Sequence, residues 1–256
     1  MIELHNVTAG YRDGDVLRDV SLSFPYGTVT VLMGPNGCGK TTLLKTALGL
    51  IPKRGGKISY DGTEIGAMSP REIAQQAAYL SQSRNIPRIT AGRMVLHGRF
   101  PYLDYPRHYR KEDHEIVRQS MERTGCLDLM DRQMGELSGG QRQKVYLAMA
   151  LAQQTRTIFM DEPTTYLDVR HQLEVMETAR SLASQGAAVV LVLHDISLAL
   201  RTAHQAVVLD RGGVALAGSP EEIYHSHVLD RVFHVRVRRV AVDSGWQYFC
   251  EPGKEF

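Results

Sequence analysis

The 256-residue sequence predicts an α/β fold: a parallel sheet covered on both faces, with a mostly helical stretch inserted into it. Three observations predict this. Short apolar strands alternate with helical segments on both sides of the chain's middle. A Gly-rich turn at 34–41 stands between an apolar strand and a helix. From about residue 83 to 153 the texture changes and becomes mostly helical.

In chain order, apolar residues at alternating or near-alternating positions predict strands at 2–7 and 20–24. The run at 29–33 reads as a buried strand, and a helix should follow over 40–48. Residues 57–60 form a short strand before the turn signal Asp61-Gly62. The helical stretch carries a Pro/Tyr-rich break at 100–107, a charged helix at 112–124 and a helix at 139–154 with an apolar second half. Alternation then resumes: strand 157–160, helix 169–184, strand 187–193 and helix 196–203. Two short strands, 206–209 and 214–217, flank Asp210-Arg211-Gly212-Gly213. In the tail, Phe233, Val235 and Val237 alternate with His234, Arg236 and Arg238; a turn at Asp243-Ser244-Gly245 lets 246–250 pair back as a hairpin.

Composition excludes several classes. With 43% hydrophobic and 23% charged residues the chain is neither disordered nor collagen-like. Its longest apolar run, 145–152, has eight residues, where a membrane span needs about 18–20. Work at a membrane therefore needs an integral partner. No basic stretch followed by an apolar one opens the chain, so no secretory signal is expected. Cys38, Cys126 and Cys250 give neither a disulfide framework nor CxxC metal spacing, which suits a reducing cytoplasm. A net charge of +2 makes no case for nucleic acid.

The chemistry concentrates in three motifs. Residues 34–41, GPNGCGKT, fit G-x-x-x-x-G-K-[ST] between a strand and a helix. Glycines let consecutive backbone N–H groups approach phosphates, and the helix N-terminus adds partial positive charge. Lys40 would reach the β- and γ-phosphates and the Thr41 hydroxyl would ligate Mg²⁺. Cys38 stands in for a small serine, with no catalytic role. The strand TIFMD ends in Asp161, placed to hold Mg²⁺, and Glu162 follows, placed to polarise an attacking water. LSGGQ at 137–141 opens a helix: Ser138 is the N-cap, and Gly139 and Gly140 expose backbone N–H groups toward an anion.

With these motifs the chain resembles the ATP-binding cassette (ABC) ATPases over nearly its whole length. The family's phosphate loop falls on Gly34, Pro35, Asn36, Gly37, Cys38, Gly39, Lys40, Thr41 and Thr42, and its signature on LSGGQ, with Ser138, Gly139, Gly140 and Gln141 as nucleotide contacts. The Mg²⁺ aspartate and catalytic glutamate fall on Asp161 and Glu162. The adenine-stacking aromatic falls on Tyr11, the glutamine that joins core to insert on Gln82, the switch histidine on His194, and the dimer-facing loop on Tyr166-Leu167-Asp168. The resemblance implies catalytic roles for Glu162, His194 and Gln82, nucleotide contacts from Tyr11 and Asp168, and metal ligation by Thr41, Gln82 and Asp161. The other histidines, including His225 and His227, read as solvated.

The fold so implied is a P-loop NTPase (RecA-like) core over 1–83 and 154–225, with an N-terminal antiparallel β subdomain and an inserted ABC α-helical subdomain at 84–153. Residues 226–256 form a short tail that either finishes the fold or adds to a dimer interface. The implied activity is ATP hydrolysis with Mg²⁺, in a head-to-tail homodimer that places each ATP between one phosphate loop and the other copy's LSGGQ. HGRFPYL at 97–103 and DEPTTYLDVRHQ at 161–172 look like the ATPases of importers for ferric siderophores, haem and cobalamin. That implies permease subunits, an extracytoplasmic substrate-binding protein, no nucleic acid, and a cytoplasmic, peripheral place on the membrane's inner face. An exporter's ATPase subunit and a non-transport ABC ATPase remain the other readings.

Overall fold

The computed structural model describes residues 1–12, 14–82, 86–165, 167–243 and 245–253. Tyr166, Ser244 of the expected turn, and the expected boundary at 83/84 lie outside them. The chain divides into two compact units: Met1–Met68 with Ala179–Phe256, and Ser69–Thr178.

The first unit opens with β1 (Ile2–Tyr11) and β2 (Gly14–Phe24), both longer than their expected cores. The reason is a break in pattern. The β1–β2 register shifts between Leu4 and Val7 and again at Ala9, which scrambles the period-2 alternation. Asn6 and Asp19 both take positive φ there, and Asn6 Nδ2 donates to Asp19 Oδ1 at 2.6 Å. Next come β3 (Val29–Met33), α1 (Lys40–Ala47), β4 (Lys53–Tyr60) and β5 (Thr63–Glu64). The antiparallel order β2-β1-β4-β5 gives the expected N-terminal β layer. Buried Tyr60 on β4 donates its hydroxyl to Ala47 O at 2.7 Å, fastening β4 to the end of α1; burial pushes its phenol well up.

The second unit contains α2 (Pro70–Gln76), β6 (Ala77–Leu80), α3 (Ala91–Leu96), α4 (Lys111–Arg123), α5 (Gly139–Ala152) and β7 (Thr157–Asp161). Helix α6 (Val169–Ser184) starts in it and carries the chain back into the first unit. Strands β6 and β7 are parallel, with Leu80 opposite Met160. A 3₁₀ turn, His97–Tyr102, runs into the expected Pro/Tyr-rich break. Within it Arg99 is buried, only 7% exposed. Arg99 donates to Asp113 Oδ1 at 2.9 Å, to Ala152 O at 2.9 Å and to Gln154 Oε1 at 3.0 Å. Its guanidinium also lies 4.1 Å from the Tyr102 ring centroid. The cluster joins the 3₁₀ turn to α4 and α5.

Back in the first unit are β8 (Ala188–Val192), α7 (Ile196–Thr202), β9 (Gln205–Asp210) and β10 (Gly213–Gly218). Strand β3 is parallel to both β8 and β9, and β10 returns antiparallel on β9. All five residues of β3 and of β8 are buried, as expected of strands covered on both faces. Two short helices follow that periodicity did not reveal, α8 (Pro220–His225) and α9 (Val228–Phe233). The first had a local signal: Ser219 and Glu222 make a capping box with proline at the first turn. The tail is the expected hairpin, β11 (Val235–Val242) paired with β12 (Gly245–Pro252). Val237 and Tyr248 bury its inner face, and Gln247 Nε2 donates to Ser197 Oγ on α7 at 3.1 Å. Among the described residues no helix is long and apolar enough to cross a membrane.

Candidate functional site

In the first unit the phosphate loop leaves the end of β3. Gly34, Gly37 and Gly39 have φ of 151°, 79° and 108°, conformations that favour glycine. A Cβ on Gly34 would stand 2.3 Å from Leu209 O and 2.6 Å from Cys38 Sγ, so no larger residue fits. Pro35, Asn36 and Gly37 carry the loop over to Gly39, which precedes α1 without a side-chain cap. Gly39 brings no side-chain oxygen to the start of α1, where Thr41 and Thr42 lie in the first turn, and a helix start of this kind suits an anion. Lys40 is 6% exposed, and its Nζ donates to Gly34 O at 2.7 Å and Pro35 O at 2.9 Å. A buried ammonium resting on two neutral carbonyls gains from an anion brought to the loop.

Two further candidates belong to the same unit. Leu17 of β2 lies against the loop, since a Cβ on Gly39 would stand 2.9 Å from its Cδ2. Leu17 pairs with Ala9 of β1, and Tyr11 at the end of the same strand is 49% exposed. Arg54 holds that end of β1 by donating to Tyr11 O and, at 2.9 Å, to Asp15 Oδ1. His194 is exposed just beyond β8, next to Leu193, whose N–H donates to Leu32 O at 3.2 Å. His194 and the phosphate loop therefore share the C-terminal edge of the parallel strands, where ligands of open α/β sheets bind. The helix cap there is Asp195, whose Oδ1 accepts from Leu198 N.

Cys38 is 5% exposed, and burial pushes its thiol up while neighbouring Lys40 only partly offsets this. Cys250 is exposed, although its thiol is also raised by partial burial and by Asp195 and Asp230. Exposure therefore decides reactivity. Peptide mapping after brief treatment with an alkylating reagent should find Cys250 modified well before Cys38. Equal rates would mean that the Gly34–Cys38 packing opens readily.

In the second unit the parallel register does the assembling. Gln82 and Glu162 each stand two residues beyond the paired Leu80 and Met160. Gln82 Nε2 donates to Glu162 Oε2 at 2.6 Å, and Thr165 Oγ1 donates to the same oxygen at 3.2 Å. Glu162 has φ of 50°, a left-handed turn that swings its side chain off the strand line. Asp161 is 1% exposed, and Tyr79 OH donates to its Oδ2 at 3.1 Å. The sequence alone did not reveal Tyr79; register on β6 is what brings it there.

The LSGGQ segment starts α5. Ser138 Oγ accepts from Gln141 N at 3.3 Å, and Ser138 N–H donates to Gln141 Oε1 at 3.0 Å, a reciprocal capping box. Gln141 is therefore part of the cap, and Gly139 and Gly140 occupy the first turn. Asp168 Oδ1 accepts the His171 backbone N–H at 2.9 Å and lies 2.7 Å from its Nδ1. These bonds hold the Asp168 carboxyl below the usual range. His171, read from sequence as merely solvated, is thus a partner of Asp168. Among the described residues no group of three or more His, Cys, Asp or Glu could hold a metal ion.

The ABC transporter family profile matches residues 17–165. The chain belongs to the ABC transporter family. Its activity is ATP hydrolysis coupled to transport. This cassette is 39% identical over 228 residues to the iron(3+)-hydroxamate import ATP-binding protein FhuC of Bacillus subtilis (strain 168), covering 88% of this chain and 85% of that one. It is 37% identical to the ferric enterobactin transport ATP-binding protein FepC of Escherichia coli (strain K12), covering 90% and 86%. It is 41% identical to the hemin import ATP-binding protein HmuV of Rhodococcus jostii (strain RHA1), covering 89% and 77%. Among solved structures, a metal-chelate type ABC transporter in an inward-facing conformation superposes with a TM-score of 0.84 at 24% identity, covering 97% of this chain and 96% of that one. That likeness shows the cassette fold.

Proposed function

We propose that this cassette is the ATP-hydrolysing subunit of an importer for iron complexes, ferric siderophores or haem, and that two copies close head to tail on ATP. The observation that carries the catalytic reading is Glu162, turned out of the strand line at the end of β7 and held by Gln82. The roles divide as follows. Gly34–Thr42 with Lys40 cradle the triphosphate, Tyr11 stacks on adenine, Glu162 polarises the attacking water, and Gln82 and His194 respond to the γ-phosphate. Ser138, Gly139, Gly140 and Asp168 of the other copy close over the nucleotide.

The charge balance supports pairing. One helix N-terminus and one lysine only partly neutralise a triphosphate, and a second helix N-terminus supplied in trans completes the shell. Loss of the γ-phosphate then weakens the pair, a switch driven by charge. Mg²⁺ suits the oxygen donors of Thr41, Gln82 and Asp161, since a buried carboxylate such as Asp161 is stabilised by a cation. When bound, that ion neutralises phosphate charge.

The iron-complex cargo is supported by the relatives, three of which are import or transport ATP-binding proteins for iron(3+)-hydroxamate, ferric enterobactin and hemin. Permease subunits, an extracytoplasmic binding protein and a place at the membrane's cytoplasmic face complete this reading. Residues 84–153 would be the helical subdomain that passes motion to the permease.

The test is ATP hydrolysis against protein concentration, followed by iron uptake. The rate should rise faster than linearly with concentration, because two copies make each site. Cells lacking this chain should lose uptake of ⁵⁵Fe-siderophore or of haem. A linear rate would sink the paired mechanism, and unchanged uptake of both cargoes would sink the iron reading.

A further inference from the structure

Glycine at position 140 is not demanded by the backbone. Gly140 lies in the first turn of α5 and is not among the residues of positive φ. Alanine is preferred over glycine inside a helix by about 1 kcal/mol. What crowds a side chain there is a ring. A Cβ on Gly140 would stand 3.1 Å from His171 Cδ2, 3.2 Å from Nε2 and 3.3 Å from Cε1. The ring is tethered: Asp168 Oδ1 lies 2.7 Å from its Nδ1 and also accepts the His171 backbone N–H.

A second tie repeats the contact one turn further along both helices. Lys144 Nζ of α5 lies 2.9 Å from Glu174 Oε2 of α6, and this lysine holds the Glu174 carboxyl below its usual range. Between the two helices a cleft of about 260 Å³ opens, lined in part by Gly140, Lys144, His171 and Glu174. The two helices thus meet at defined points across a partly open seam, and His171 is the point nearest the signature turn.

We infer that His171 is a positioning residue: clamped by Asp168, its ring packs on Gly140 and fixes the loop at 167–168 to the signature turn. This inference rests on the reading that Gly140 and Asp168 serve the other copy's nucleotide. Two contacts supplied in trans would then approach that nucleotide as one rigid piece. The ring therefore favours glycine at 140 independently of the nucleotide.

The test is a double-mutant cycle in a Glu162→Gln background, which keeps ATP intact. The variants are His171→Ala, Gly140→Ala, the pair together, and His171→Asn, which retains a donor for Asp168 but removes the far edge of the ring. MgATP-driven dimerisation is read by sedimentation, nucleotide binding to the monomer by fluorescent ATP, and stability by thermal melting. Each alanine variant should weaken dimerisation roughly tenfold, and the pair by no more than either alone. Monomer nucleotide affinity should not change. His171→Asn should retain part of the dimerisation that His171→Ala loses. Melting should show a change of sign: Gly140→Ala lowers the melting temperature with His171 present and raises it once the ring is gone.

Effects that multiply to roughly a hundredfold would overturn the inference, as would a His171→Ala chain that dimerises like its parent. If the Glu162→Gln parent itself forms no dimer on MgATP, the reading of the site in trans fails. The melting sign then decides the ring-on-glycine contact by itself.

Discussion

Glu162→Gln is expected to lower ATP turnover about 10²–10⁴-fold while leaving MgATP binding intact. The substitution is nearly isosteric, and a Gln carbonyl oxygen at 162 can still accept from Gln82 Nε2 and Thr165 Oγ1, which both donate to the carboxylate. Geometry is preserved and only the charge is removed. Loss of turnover with retained binding would therefore isolate the carboxylate's part in activating water. The variant should also remain dimeric in excess MgATP, since hydrolysis is what releases the pair. Single-turnover assays with sedimentation check both. Turnover within about threefold of the parent would mean that another group activates the water.

The second large effect is on stability. Asp113→Ala should destabilise the fold by about 3–5 kcal/mol, because it leaves the Arg99 guanidinium buried without its carboxylate. Both side chains are 8% exposed and 2.9 Å apart. Against a typical total of about 5–15 kcal/mol, that loss would leave a marginal fold. The same pair sets an acid limit. Burial alone would raise the Asp113 carboxyl, but the Arg110 N–H, the Arg99 hydrogen bond and the charges of Arg99 and Arg110 outweigh it and hold it below its ordinary range. A carboxyl depressed in the folded state contributes its stability above the unfolded value of about 3.9, and that contribution is lost as pH falls through the lower folded value. Urea unfolding of the parent and of Asp113→Ala should therefore differ most near neutrality and converge below about pH 4. A constant difference down to low pH would show that the pair is not the source. Replacing both residues, as Arg99→Met with Asp113→Leu, should cost less than the two single losses summed.

Much of this was legible beforehand for identifiable reasons. The phosphate loop, the Asp161-Glu162 pair and LSGGQ are contiguous segments whose glycines, caps and carboxylates act within a few residues of one another. The same holds for the helix at 169–184 and for the tail hairpin, whose periodicity is unbroken. The full lengths of β1 and β2 were hidden because register shifts break their alternation. Helices α8 and α9 were hidden because six residues are too few for a helical period to show. Residues 100–107 read as a break, whereas 97–102 form a 3₁₀ turn in which Arg99 is buried.

The sequence by itself determined the α/β class, the loop that accepts phosphate, the carboxylates that follow a buried strand and the capped helix that offers N–H groups, because each depends on neighbours along the chain. Only the tertiary structure decided that Gln82 grips Glu162, that Tyr79 donates to Asp161, that Asp113 answers Arg99 and that His171 stands over Gly140. Those pairs are set by strand register and helix packing between segments far apart in the chain, and no local pattern encodes the distance between them.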